Sequence, residues 1–241
     1  MTLRIASYNL HKCVGTDRRR DPARVLEVIN QIGADVIALQ EVDLRLGARP
    51  AALPASLIAA QSDYIRLEAH PRTGPDSLGW HGQAILVKRG MRVLSIDGLT
   101  LPGLEPRGAI VARVSAETGQ PFTLIGAHLG LRRMDRRAQW RKIAAELASA
   151  APAPALAIGD FNEWQNARGF EALTGFHVHS PGATYPARLP FGKLDRIVTC
   201  GRLRIVHMGV FDSPLARRAS DHLPIWADCA GILTPARPLR G

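Results

Sequence analysis

Residues 1–8 alternate between polar and apolar side chains, the period of a half-buried strand, so 3–8 is predicted as the first strand. It delivers Asn9-Leu10-His11 at its end. Asp21-Pro22 then carries the signal of a helix start, a capping carboxylate followed by proline at the first helical position. Val25, Leu26, Val28, Ile29 and Ile32 supply one apolar face, and Gly33 stops the helix. Residues 35–39 read as a buried strand ending in Gln40-Glu41-Val42, and 54–61 as a second helix. The stretch 64–69 looks extended, and Pro- and Gly-rich 70–82, with Trp80-His81-Gly82, reads as a long loop.

Strand-like runs follow at 83–88, 92–96, 109–114 and 122–126, the last two joined by a hairpin turn through Glu117-Thr118-Gly119-Gln120-Pro121. The fourth run delivers His128. Met134, Ala138, Ile143, Ala144 and Leu147 recur at helical spacing, and Pro152 and Pro154 end that helix. Ala155 to Ile158 is too short and too apolar for a surface helix and is predicted as a buried strand. Phe170, Leu173 and Phe176 suggest a short packed helix, and 181–192 a second long loop holding Thr184 and Tyr185. Strands are expected at 194–198, 203–206 and 223–229, with a polar turn through Arg218-Ala219-Ser220-Asp221-His222. With no repeat or internal boundary, the expectation is one mixed α/β domain over 1–231, more antiparallel than parallel, and a tail at 232–241.

The composition is ordinary for a globular protein, 46 % hydrophobic and 22 % charged. Cys13, Cys200 and Cys229 lie far apart with no Cys-x-x-Cys pair, which fits neither a disulfide framework nor a zinc site. With no long apolar run at the start, a cytoplasmic location is the expectation. The net charge of +10 points to an anionic partner. Nucleic acid and an anionic membrane surface are both candidates, the densest cluster being Arg132-Arg133, Arg136-Arg137 and Arg141-Lys142. No obligate protein partner is inferred.

Gly159-Asp160-Phe161-Asn162 switches abruptly from apolar strand to polar chemistry. On extended backbone Asp160 and Asn162 would point the same way, able to orient a water and grip an oxyanion. The alternative is an Asx-turn that uses both side chains to tie down the backbone. Asn9, Glu41, His128, Asp195 and the pair Asp221-His222 also stand at strand ends. Glu41, Asp160 and Asp221 with asparagine oxygens make a hard, oxygen-only set suited to Mg2+ or Mn2+. His128 and His222 can donate to phosphate oxygens, and Asp195 can hold one imidazole. A Gly-x-Ser-x-Gly elbow and a His-Glu-x-x-His helix are both absent, so serine-hydrolase and zinc-protease chemistry are not supported.

Taken in order, several short motifs resemble the endonuclease/exonuclease/phosphatase superfamily. They are Tyr8-Asn9-Leu10-His11, Leu39-Gln40-Glu41-Val42, Gly82-Gln83-Ala84-Ile85-Leu86, Arg107-Gly108-Ala109 and Ala127-His128-Leu129. Gly159-Asp160-Phe161-Asn162, Leu194-Asp195-Arg196 and Ser220-Asp221-His222 complete them. Trp80-His81-Gly82 and Thr184-Tyr185-Pro186 resemble a small bacterial branch of unsettled substrate. The resemblance implies a four-layer α/β sandwich and Mg2+- or Mn2+-dependent phosphoester hydrolysis. It implies that Glu41 is the principal metal ligand, with Asn9 and Asp221 in the same network. Asp160 would activate water, Asn162 would align water and phosphate, and His222, held by Asp195, would stabilise developing charge. His128 and Arg107 would contact the phosphate. A lipid headgroup or other small phosphodiester is the favoured substrate, with a DNA nuclease as the alternative, because few aromatics accompany the basic clusters.

Overall fold

The strands predicted from apolar runs build two stacked sheets in a computed structural model that describes residues 2–70, 73–165, 169–200 and 203–231. The expected tail at 232–241 lies outside the described residues. In chain order the elements are β1 (Leu3–Asn9), α1 (Pro22–Ile32), β2 (Val36–Gln40), α2 (Ala55–Gln61), β3 (Tyr64–Arg66), β4 (Gln83–Lys88), β5 (Arg92–Leu101) and β6 (Arg107–Ser115). Then come β7 (Phe122–His128), α3 (Arg133–Ser149), β8 (Ala155–Asp160), β9 (His177–His179), β10 (Asp195–Cys200), β11 (Arg204–Val210), α4 (Pro214–Ala219) and β12 (Ile225–Ala230). Short 3-10 turns sit at His11–Cys13 and Glu171–Leu173.

One sheet runs β11-β12-β1-β2-β4-β3 and the other β5-β6-β7-β8-β10-β9. Among the described pairs only β1–β2 and β7–β8 are parallel. Strand alternation divides the core into three layers. Ile5, Val36, Ala38 and Ile85 of the first sheet meet Ile110, Leu124, Leu156, Ile158 and Ile197 of the second. The approach is close: a Cβ at Gly126 would stand 3.0 Å from the Ala38 Cβ. The opposite faces carry Tyr8, Ile37 and Leu39 against Val25, Leu26 and Ile29 of α1, and Ile125 and Ala157 against Trp140, Ile143 and Leu147 of α3. The result is the expected order of helix, sheet, sheet, helix.

Helix α1 starts as the sequence predicts: the Asp21 carboxylate accepts from Arg24 N at 3.0 Å, and Gly33 ends it at φ 62°. Helix α3 departs from its predicted face. Met134 is exposed, and Arg136 and Gln139 are buried with Trp140, Ile143 and Leu147. Gln139 is satisfied by Gly130 N and the Pro102 carbonyl, and the terminal nitrogens of Arg136 bond Glu163 and the Leu131 carbonyl while its Nε has no partner among the described residues.

Strand β5 runs five residues beyond the predicted 92–96, through Asp97-Gly98-Leu99-Thr100-Leu101. As an edge strand it is partly exposed, so its polar content left no apolar run to read. Helix α4 and strand β9 were not predicted. Ser213 Oγ accepting from Ala216 N, with Pro214 next, is the capping signal that marks α4.

Candidate active site

The polar site is where the core between the sheets ends. In β7, β8 and β10 the inward-facing positions are Leu124, Leu156 with Ile158, and Ile197. Asp160 and Asp195 occupy the next positions of the same parity, and His128 the one beyond Gly126, all at the strand ends. Register sets them side by side, His128 opposite Asp160 and Asp195 opposite Asp160. Asn9 follows Leu3, Ile5 and Ser7 on the inward face of β1, so the other sheet supplies an amide. All four side chains are buried. Gly159 lets the strands close, since a Cβ there would stand 1.8 Å from the Ala127 carbonyl oxygen.

One carboxylate oxygen, Asp160 Oδ2, is the focus. Asn9 Nδ2 donates to it at 3.0 Å, with His128 Nε2 at 3.5 Å and His222 Nε2 at 3.6 Å. Asp195 Oδ2 lies 2.9 Å from His222 Nδ1 and accepts from Thr184 Oγ1 at 2.6 Å. Tyr185 packs on the His222 ring, with centroids 4.9 Å apart.

The two histidines carry opposite charge states. Burial drives the His128 imidazole down to about 4, more than neighbouring Asp160 can offset, so it is neutral at pH 7. Burial also acts against a charged His222, but Asp195 and Asp160 outweigh it and raise the imidazole to about 10. A neutral acceptor or donor and a fixed cation therefore flank the same carboxylate.

Asn162 does not follow the extended alternation. Its φ is 50°, its N–H bonds to Asp160 Oδ1 at 3.0 Å, and its Nδ2 donates to the Leu129 carbonyl at 2.9 Å. The Asx-turn is present, and it consumes only one Asp160 oxygen. Oδ2 remains turned toward Asn9 and the histidines.

Glu41 has the wrong parity for the inward face, because Ile37 and Leu39 of β2 face the helices. A left-handed φ of 53° turns the chain, and Glu41 lines a cleft of about 380 Å³ with Arg107 and His128. Burial favours its neutral acid, but the charges of His128, Lys12 and Arg45 hold it down at about 2. With His128 neutral at pH 7, Lys12 and Arg45 are the cations that matter there. Lys12 Nζ contacts Glu41 Oε2 directly, and Arg45 Nη2 lies 3.7 Å from Oε1. Arg107 lines the same cleft but is paired with Glu105 at 2.8 Å. Asp221 is half-buried, 3.9 Å from His11 Nδ1, and its turn is fastened to β1 by Ser220 Oγ donating to the Asn9 carbonyl at 2.7 Å.

A profile of the endonuclease/exonuclease/phosphatase family matches residues 6–222. The chain belongs to that family. Solved structures share the fold: an endonuclease/exonuclease/phosphatase from Bacteroides vulgatus has a TM-score of 0.75 at 18 % identity, covering 95 % of this chain and 98 % of that one. D. rerio TDP2 complexed with single-strand DNA product gives 0.73 at 20 % identity, covering 95 % and 98 %. A Bacteroides thetaiotaomicron mannosyl-6-phosphatase gives 0.73 at 18 % identity, covering 95 % and 99 %. No curated protein matches the chain by sequence.

Endonuclease/exonuclease/phosphatase proteins act on phosphoesters, and this member has a grouping that could hold a metal. Ligand atoms of Asp160, Asp195 and His222 lie within 4.8 Å of one another, and among the described residues this is the grouping with metal-ligand spacing. The sequence reading missed three site contributors: Thr184 on Asp195, Lys12 on Glu41, and the buried Arg136–Glu163 pair at 3.0 Å. That pair links the segments after His128 and Asn162, since Arg136 also donates to the Leu131 carbonyl. No local pattern marks such partners. Trp80 packs over Gly98 and Gly108 of the β5–β6 hairpin, and its neighbour His81 lines the cleft.

Proposed function

We propose that this family member is a cytoplasmic, divalent-metal-dependent phosphodiesterase acting on a lipid headgroup or another small phosphodiester. The observation that carries this is the convergence on Asp160 Oδ2 of Asn9, neutral His128 and cationic His222. A carboxylate so placed can take a proton from water, while the imidazolium offsets charge growing on the phosphorus oxygens. Water oxygen bonds to phosphorus, its proton passes to Asp160, and the ester oxygen leaves. Thr184 and Asp195 orient His222, and His128 with Arg107 contacts the phosphate. Asn162 aligns the phosphate from the turn after β8.

The donor set fits a hard divalent cation. Glu41 is a largely buried carboxylate that already recruits Lys12 and Arg45, and Asn9 and Asp221 add oxygens on neighbouring segments. We take these three residues as the ligands rather than the Asp160–Asp195–His222 grouping, in which Asp195 Oδ2 and His222 Nδ1 already bond each other at 2.9 Å. A cation held there would act as a Lewis acid on a phosphoryl oxygen.

A DNA nuclease is the second reading, favoured by the +10 charge and by structural likeness to TDP2 bound to DNA. Hydrolysis of an aryl phosphodiester and of lipid, nucleotide and abasic-DNA diesters, with and without Mn2+, separates the two. Turnover restricted to DNA would overturn the headgroup reading, and turnover unaffected by EDTA would overturn metal dependence.

A further inference from the structure

Among the described residues, seven large apolar side chains are 55 % exposed or more, and all other exposed ones are at 48 % or less. All seven lie at the end of the sheets where the site opens. Leu46 follows β2 and Glu41, Leu104 precedes β6 and Arg107, and Leu131 and Met134 follow β7 and His128. Trp164 follows β8 and Asn162, while Leu189 and Phe191 precede β10 and Asp195. The connections at the opposite end, 33–35, 89–91, 116–121 and 150–154, carry none. Single exposed leucines are ordinary, but confinement to one rim marks an interaction surface.

Charge on the rim is mostly positive. The exposed charged side chains on those segments are Arg45, Arg132, Arg133, Arg188 and Lys193, against one exposed acid, Glu171, which pairs with Arg133 at 3.2 Å. The other acids there are withdrawn and engaged: Glu41 with Lys12, Asp43 with Leu78 N, Glu105 with Arg107 and Glu163 with Arg136. The rim is also braced. Leu104 N donates to Asp135 Oδ2 at 3.1 Å, and Trp164 packs against Tyr185 and Phe191 with centroids 6.2 and 6.0 Å apart.

We propose that this rim docks the protein on an anionic phospholipid surface, apolar tips among the acyl chains and basic side chains at the headgroup phosphates, with the cleft facing the headgroups. Amphipathic binding of this kind combines buried apolar area with attraction to anionic lipid. Single-stranded nucleic acid fits less well, because five of the seven tips are aliphatic and offer bases no ring to stack on. The docking deepens the headgroup-diesterase reading and rests on it for what is hydrolysed, but it is measured without turnover.

The test is flotation of the full chain, in EDTA, with phosphatidylcholine vesicles lacking or containing phosphatidylglycerol. Wild type is expected to float with the anionic vesicles, to release as salt rises, and to show a blue-shifted Trp164 emission that Trp164→Phe removes. The triple variant Leu104→Ser, Met134→Ser, Leu189→Ser is expected to bind roughly tenfold or more weakly. Its hydrolysis of a soluble aryl diester should be unchanged, since none of the three lines the cleft. Absence of flotation at low salt, or equal binding by the variant, overturns the docking surface. So does tighter binding of a single-stranded oligonucleotide that the same variant weakens. Vesicle binding without any diester hydrolysis supports the docking and counts against the proposed function alone.

Discussion

Asn9 Nδ2 donates to Asp160 Oδ2 at 3.0 Å, joining the ends of two strands that belong to different sheets. The bond closes the open end of the core and fixes which Asp160 oxygen faces the histidines. Asn9→Ala is expected to cost about 1–3 kcal/mol of stability, since a buried charged acceptor loses its donor. Turnover should fall about 10²-fold, as for loss of one preorganised contact. Urea melts and kcat measurements check both; an unaffected kcat removes Asn9 from the machinery.

In the proposed mechanism Asp195 acts through His222, whose Nδ1 it holds at 2.9 Å. Asp195→Asn keeps the shape but removes the charge that holds the imidazole near 10. Turnover should drop by about 10²- to 10⁴-fold. Nitrogen NMR of His222 should show its pKa fall well below the wild-type value, and an unmoved titration would refute the coupling. Thr184→Val, which leaves the carboxylate in place, should have a smaller effect in the same direction.

If Glu41 holds the proposed divalent cation, Lys12 must compete with it for the same carboxylate. In EDTA, Lys12→Met should melt earlier than wild type, by about 1–3 kcal/mol, because a largely buried carboxylate loses its ammonium partner. Adding Mn2+ should raise the melting temperature of the variant more than that of wild type. An equal rise in both would mean that the cation binds elsewhere.

The metal-free protein should lose stability on both sides of about pH 6.5, the ordinary histidine value. His222 is raised to about 10, so its contribution is complete below that ordinary value and disappears as pH climbs toward 10. His128 is lowered to about 4, so its contribution is present above the ordinary value and disappears as pH falls toward 4. Melting temperatures across pH should show His222→Gln flattening the alkaline limb and His128→Gln the acid limb. Parallel curves for wild type and variant would contradict these charge states.

Arg136 and Glu163 are both buried, so removing one charge strands the other. Arg136→Met is expected to destabilise by about 3–5 kcal/mol. The double variant Arg136→Met, Glu163→Met should recover much of that loss, which denaturant melts can show. Full additivity of the two single changes would indicate that they do not act as a pair.

Much of the architecture is written in local periodicity. The alternation in β1, the apolar runs of β2, β7 and β8, and the capped α1 name their own elements, because a strand or helix side chain meets the core at a fixed spacing. The same parity rule places Asn9, His128, Asp160 and Asp195 at the ends of inward-facing rows. Edge strands β5 and β9 were less legible, since half-exposed positions accept polar residues.

What the sequence by itself determined, then, is which residues stand at strand ends and which chemistry they bring. Only the tertiary structure decided how they meet. The left-handed turn at Glu41 overrides strand parity, the Asx-turn at Asn162 spends one Asp160 oxygen and spares the other, and Lys12, Thr184 and Arg136 arrive from segments distant from their partners. Charge states were decided there as well. Two histidines of one intrinsic pKa separate because burial and the carboxylates around them, both products of packing, act on each by different amounts.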